Sequence, residues 1–308
     1  MSGRTTGDVP AVETRGLVKR YGRTVALDGL TMSVPRGEIF GFLGPNGAGK
    51  TTAIKVLLGL TAATGGEAWV LGRPAGDLAA RRRTGYLPEM FRYQAWLTGR
   101  EVLGVHCRLL GLPRSSWNGE IRSALETAGI ADRGGDRVAG YSKGMQQRLG
   151  LAVALLGRPE VVFLDEPTSA LDPVGRLEMR PVLRALRDRG ATVFLNSHML
   201  SEVERVCDRV AILDHGRVTF MGRLDELLEE RIVRLHVTGL DEVARAIPGR
   251  YGSVAADGEW LEVRGLAPER IPDLVAELVA AGARVHAVEP RQASLEQRFQ
   301  DLVAGGAR

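Results

Sequence analysis

Residues 44–51 read Gly-Pro-Asn-Gly-Ala-Gly-Lys-Thr, a glycine-rich stretch closed by one lysine and one hydroxyl. An apolar, β-rich run, Glu38–Leu43, precedes it and a helical run, Lys50–Leu60, follows. That order constrains the chain more than any other feature, because it demands a strand, a tight loop and a helix in direct succession. Glycines let successive backbone N–H groups turn inward around an anion with no Cβ in the way. The helix N-terminus adds partial positive charge at the same point. Lys50 reaches the outer phosphates of a nucleotide as a mobile point charge, and the Thr51 hydroxyl is placed to ligate Mg²⁺. The spacing G-x-x-x-x-G-K-[ST] in this context predicts a phosphate cradle, a P-loop, in an α/β fold.

Such a cradle needs a carboxylate at the end of a neighbouring strand, and Val161-Val162-Phe163-Leu164-Asp165-Glu166 offers one. The apolar run suits a strand buried on both faces of a parallel sheet. It projects Asp165 toward the metal, directly or through water. Glu166, next in line, is positioned to accept a proton from an attacking water.

Up to about residue 230 the chain alternates β-rich and helical segments, an α/β pattern. Strands are predicted over Leu30–Val34, Glu38–Leu43, Ala68–Leu71, Thr84–Leu87, Val161–Leu164, Thr192–Asn196 and Val210–Leu213. Pro35-Arg36-Gly37 reads as a tight reversal between the first two. Between about 90 and 157 the pattern is helical. There Thr98-Gly99-Arg100-Glu101 forms a capping box for a helix ending near Gly111, with further helices over Trp117–Ala128 and Lys143–Leu156. Over 231–308 the pattern becomes β-α-β-β-α-β, with Asp257-Gly258 as a hairpin turn and a last helix over Leu295–Val303. Two domains are expected: residues 1–230, with a helical subdomain near 90–157, and a small α+β, ferredoxin-like domain over 231–308.

Composition narrows the class. A chain of 308 residues, 44% apolar and 25% charged, is globular and has room for one large core or two. No uncharged stretch approaches the ~18–20 apolar residues of a membrane-spanning helix. The opening MSGRTTGDVP lacks the apolar segment of a signal peptide, so a cytoplasmic setting is expected. Cys107 and Cys207 match neither a disulfide framework nor a zinc pattern and are expected as small buried apolar residues. The net charge is only +4 and the densest basic cluster is Arg81-Arg82-Arg83, so no nucleic-acid partner is expected.

At Tyr141-Ser142-Lys143-Gly144-Met145-Gln146-Gln147-Arg148 the chain resembles the ATP-binding subunits of ABC transporters. The segment is similar to the family's signature, whose commonest form is Leu-Ser-Gly-Gly-Gln. Lys143 and Met145 replace its third and fifth residues, a variation familiar in drug-export members. Ser142 is a natural helix N-cap, and Ser142 with Gly144 can present a hydroxyl and N–H groups to an anion. P-loop, signature and acidic pair occur in the family's order, and the resemblance spans about residues 9–230. It implies an ABC-type P-loop NTPase domain that binds ATP and Mg²⁺, with Gly44, Pro45, Asn46, Gly47, Ala48, Gly49, Lys50, Thr51 and Thr52 around the phosphates. It also implies that Tyr21 stacks on adenine, although a half-buried strand tyrosine explains that ring too. Ser169-Ala170-Leu171-Asp172 is similar to the loop through which two ATP sites communicate. His198 matches the switch histidine that contacts the γ-phosphate and Glu166. The family's Mg²⁺-sensing loop normally carries Gln; Gly85-Tyr86-Leu87-Pro88-Glu89 puts Glu89 there, with Gln94 five residues on. Glu89 is expected as the metal-shell acceptor, with an added negative charge.

The resemblance further implies a homodimer that sandwiches two MgATP between each P-loop and the partner's Ser142 segment. Lys50, Glu166 and His198 would carry the catalysis. It implies a separate integral membrane permease, and so a peripheral position on the inner face of the cell membrane. Export follows from the signature variant and from the tail, which resembles the accessory domain of daunorubicin-resistance-type exporters through Ser294-Leu295-Glu296-Gln297-Arg298-Phe299. Phe91, Tyr93 and Trp96 either line a groove for a permease helix or pack the helical insert's own core. The alternative is a soluble ABC-type ATPase acting on nucleic acid or ribosomes. Such proteins usually carry two ATPase units or long insertions, and neither is evident in this sequence. A non-catalytic nucleotide sensor is a further rival, against which Glu166 and His198 both speak.

Overall fold

The computed structural model describes residues 9–228, 231–292 and 294–305. The chain divides into two compact units, one reaching Gly222 and one running from Arg223 to Gly305. The domain boundary expected at residue 230, like the chain ends at 1–8 and 306–308, lies outside the described residues.

The first unit begins with β1 (Val12–Tyr21), β2 (Thr24–Val34), β3 (Ile39–Leu43), α1 (Lys50–Leu57), β4 (Gly65–Val70), β5 (Arg73–Pro74), α2 (Leu78–Arg81) and β6 (Thr84–Leu87). Three longer helices follow, α3 (Gly99–Leu109), α4 (Trp117–Thr127) and α5 (Lys143–Leu155). Then come β7 (Val161–Asp165), α6 (Pro173–Asp188), β8 (Thr192–Asn196), α7 (Leu200–Val206), β9 (Arg209–Asp214) and β10 (Arg217–Arg223).

These strands form two sheets. One is antiparallel in the order β2-β1-β4-β5, and its longer strands alternate buried and wetted residues. The other runs β10-β9-β3-β8-β7-β6, with parallel pairing from β9 through to β6. Every residue of β3, β7 and β8 is buried, as the apolar runs predicted. Phe194 sits at the centre of this sheet's core, its ring centroid 5.5, 5.1 and 5.1 Å from those of Phe40, Phe42 and Phe163.

The expected reversal at Pro35-Arg36-Gly37 takes a different form. β2 and β3 belong to different sheets, so the turn carries the chain across instead of folding one strand onto the next. β3 instead pairs along both of its edges, between β8 and β9. β1 escaped the sequence reading because Glu13, Arg15, Lys19 and Arg20 interrupt its apolar residues.

In the helical insert the capping box of α3 forms, with Thr98 and Glu101 bonding each other's backbone N–H. Ser142 caps α5 by accepting from the Met145 N–H at 3.2 Å. Of the three aromatics after Glu89, two pack inward. Phe91 and Tyr93 lie 5.4 Å apart, and Tyr93 meets His106 edge-on at 6.0 Å. Trp96 is instead 71% exposed. Cys107 and Cys207 are free, buried thiols.

The second unit contains α8 (Leu224–Leu228), β11 (Arg231–Thr238), α9 (Glu242–Ala246), β12 (Ser253–Asp257), β13 (Trp260–Arg264), α10 (Ile271–Ala280), β14 (Arg284–Gln292) and α11 (Leu295–Gly305). Its four strands are antiparallel in the order β12-β13-β11-β14. Leu235, Val237, Leu261 and Val263 build its core with Leu274 and Leu278 of α10. Trp260 stacks on His236 with centroids 4.9 Å apart, and the Arg234 guanidinium lies 4.3 Å from the same ring.

Candidate active site

The loop after β3 is shaped by its neighbours' backbones. Gly44 has φ +156°, and a Cβ there would stand 2.3 Å from the Leu213 carbonyl oxygen of β9. Gly49 has φ +106°, and its Cβ would stand 2.3 Å from the Ala26 oxygen of β2. A Cβ on Gly47 would meet nothing within 4 Å. Two glycines therefore let the loop seat between strands, and the third faces open space. α1 starts immediately after, with no side-chain cap and no acid in its first turn. Its first N–H groups are thus available to an anion.

Lys50 is 8% exposed and its Nζ donates to the Gly44 oxygen at 2.6 Å and the Pro45 oxygen at 3.0 Å. Burial pulls its pKa below the ordinary lysine value, and the charges of Glu166, Asp165 and Glu89 oppose that pull. A cleft of about 420 Å³ opens over the loop. Asn46, Gly47, Gly49, Lys50, Thr51 and Thr52 line one side, and Ala26, Glu89, Glu166, Asn196 and His198 complete it. A separate cavity of about 490 Å³, between α4 and the chain entering β7, shares no residue with this cleft.

Asp165 ends β7 at 1% exposure and accepts a hydrogen bond from Asn196 Nδ2. Burial pushes its carboxyl above the usual range; Asn196 and Lys50 counteract this, while Glu89 adds to it. Glu166 adopts a left-handed backbone, φ +54°, which costs a non-glycine residue on the order of 1–3 kcal/mol. Bonds on all sides hold it there. Its N–H donates to the Asn196 oxygen at 2.9 Å, and its carbonyl accepts from Ser169 Oγ at 3.0 Å and Gln147 Nε2 at 3.4 Å. Its Oε1 accepts from the His198 backbone N–H at 3.0 Å. His198 Nδ1 lies 2.8 Å from Oε2, at ion-pair distance but without hydrogen-bond alignment. Burial raises the Glu166 pKa, and His198 works against that rise.

The structure thus gathers Asn46, Gly47, Gly49, Lys50, Thr51, Thr52, Glu89, Glu166 and His198 around one space, while Asp165, Gly44, Pro45 and Ala48 do not line it. Gln94 does not line it. Nor do Tyr21, Ser142 and Gly144. Tyr21 is 48% exposed, with Lys19 Nζ 4.7 Å from its ring centre. Ser142 and Lys143 are exposed at the start of α5, and Gly144 is half-buried. Two residues escaped the sequence reading: Asn196, which holds Asp165, and buried Gln147, which reaches Glu166. The available signal was a lone amide at the end of an apolar strand, and another one helical turn into α5.

Thr51, Asp165 and Glu89 supply a hydroxyl and two carboxylates, all hard oxygen donors. Among the described residues no three His, Cys, Asp or Glu side chains form an all-protein metal cage. Magnesium characteristically uses one or two carboxylates plus water and phosphate oxygens, so this donor set fits it.

Among the described residues no helix is long and apolar enough to cross a membrane. Residues 27–169 match the family described as ABC transporter. An uncharacterized ABC transporter ATP-binding protein of Nostoc sp. is 39% identical over 307 residues, covering 96% of this chain and 90% of that one. The Nod factor export ATP-binding protein I of Rhizobium sp. is 40% identical over 267 residues, covering 85% and 88%. Among solved structures, an ATP-binding subunit of an ABC transporter superposes with a TM-score of 0.65 at 31% identity, over 71% of this chain and 92% of that one. Likeness that runs through nearly the whole length has one reading: the chain belongs to the ATP-binding subunits of ABC transporters, which bind ATP and hydrolyse it for transport.

Proposed function

We propose that this chain is the ATPase of an exporter and works as a homodimer, each Lys50 loop closed by the partner's Ser142–Gly144 segment over MgATP. The observation that carries this reading is the separation of two anion-binding features. Ser142 and Gly144 do not line the loop cleft; they lie at the start of α5, exposed and half-buried, as a surface that a second copy could use. In this reading Gly44, Pro45, Asn46, Gly47, Ala48, Gly49, Lys50, Thr51 and Thr52 hold the phosphates, and Tyr21 stacks on the base.

Thr51, Asp165 and Glu89 would hold Mg²⁺, which neutralises charge between the outer phosphates. Glu166 orients a water and takes its proton, helped by a pKa that burial raises. The His198 backbone N–H, bonded to Glu166 Oε1, holds the acid in place. Positioning and electrostatics carry most of the rate in such a transfer.

Energy from closure passes to a separate integral membrane permease, with this subunit peripheral on the inner membrane face. Met90 and Trp96, 84% and 71% exposed beside Glu89, suit the seat of a permease helix. Export is supported by the relatives named for Nod factor export and by the signature's Lys143 and Met145. The catalytic domain is read as residues 1–230, with the helical subdomain at 90–157, although the compact unit that contains the loop reaches only Gly222. The accessory domain, 231–308, is read as ferredoxin-like, supported by its antiparallel strand order.

Glu166→Gln tests the dimer. With ATP and Mg²⁺ it should sediment as a dimer and hydrolyse about 10²–10⁴-fold more slowly than the parent. Adding Ser142→Glu should return it to a monomer. A doubly substituted chain that stays dimeric with ATP, or a parent whose specific activity does not change on dilution, would overturn the proposal.

A further inference from the structure

Three carboxylates bear on Lys50: Glu166, Asp165 and Glu89. The one other lysine felt by Asp165 is Lys55, exposed on α1. Acids therefore outnumber the lysines around the phosphate loop. The three acids are not equivalent. Asp165 is engaged by Asn196, and Glu166 by His198. Glu89 lines the same cleft, is exposed, and makes no hydrogen bond or ion pair with the described residues. Neither a folding contact nor the proton transfer accounts for its charge.

A nucleoside triphosphate free of metal brings about four negative charges into this surplus; its magnesium complex brings about two fewer. An unpartnered carboxylate at the mouth repels the first more than the second, and the low dielectric over the loop magnifies the difference. We infer that Glu89 makes the cleft select the metal-bound nucleotide over the free one, so that the divalent cation becomes a condition for binding as well as for hydrolysis. The inference rests on the reading of residues 44–51 as the phosphate loop.

The test is calorimetric titration of the full chain with AMP-PNP, once in EDTA and once in Mg²⁺. Parent, Glu89→Gln and Glu89→Asp are compared at moderate salt. The EDTA arm reads charge alone, with no metal to lose a ligand. Glu89→Gln should bind AMP-PNP in EDTA about tenfold more tightly than the parent, allowing for the screening an exposed charge suffers. Its ratio of magnesium to EDTA affinity should shrink to match, and Glu89→Asp should keep the parental ratio. An unchanged ratio in Glu89→Gln would overturn the inference, as would a Glu89→Asp chain that behaves like Glu89→Gln. A parent that binds no AMP-PNP in either buffer would remove the phosphate-loop reading itself. That outcome is distinguishable, because binding rather than its ratio is what fails.

Discussion

Alanine at Gly49 separates the two things that glycine does in the phosphate loop. The backbone stands at φ +106°, and an added Cβ would lie 2.3 Å from the Ala26 carbonyl oxygen and 2.9 Å from Leu27 Cδ2. Leu27 can rotate away. The Ala26 carbonyl is main chain of β2, between the paired residues Val25 and Leu27, and yields less readily than a side chain. Left-handed backbone costs a non-glycine residue about 1–3 kcal/mol, and overlap with fixed atoms adds roughly 1–3 kcal/mol. The sum, about 2–6 kcal/mol, is a large part of the 5–15 kcal/mol typical of folded domains. Gly47→Ala is the internal control. It shares the loop and a positive φ of +81°, but its Cβ would meet nothing within 4 Å. It should therefore incur the backbone cost alone, about 1–3 kcal/mol. Urea unfolding followed by far-ultraviolet circular dichroism gives both midpoints without any nucleotide present. Gly49→Ala should unfold at clearly lower urea than Gly47→Ala. Equal midpoints would mean that close approach to β2 does not shape the loop.

Glu166→Gln should also stabilise the chain at neutral pH. An acid whose pKa is raised by burial binds its proton more tightly folded than unfolded, so its ionised form costs stability above that raised value. Glutamine removes the cost, and the gain should vanish as pH falls through the folded pKa into the ordinary carboxylate range; a gain that persists in acid would refute the sign. Phe194→Ala empties the centre of the aromatic cluster and should cost about 3–5 kcal/mol, measured as a fall in urea midpoint. A loss below about 1 kcal/mol would mean that the three neighbouring rings collapse into the space.

What could be read in advance was local. The strand, glycine-rich loop and helix over residues 39–57 are legible because they are contiguous, and the strand ending in Asp165 because β7 is an unbroken apolar run. The capping box of α3 is four adjacent residues. What escaped depends on contacts between distant segments. Asn196 meets Asp165 from thirty-one positions away, and Gln147 meets Glu166 from nineteen, and neither spacing has a motif. The left-handed backbone of Glu166 is imposed by those partners, since glutamate has no preference for it. The misread turn at Pro35–Gly37 has the same origin. Turn chemistry reports that the chain bends, and sheet membership is decided by the distant strands, β8 and β9, with which β3 pairs.

Gln147 ties two ends of one lever together. α5 begins with the outward-facing Ser142 and, little more than a turn along, lays the Gln147 amide on the peptide oxygen of Glu166. A helix is stiff over so short a span, so the position of its tip and that of the amide are set together. The acid and the exposed tip of α5 are thus joined through one short stretch of helix.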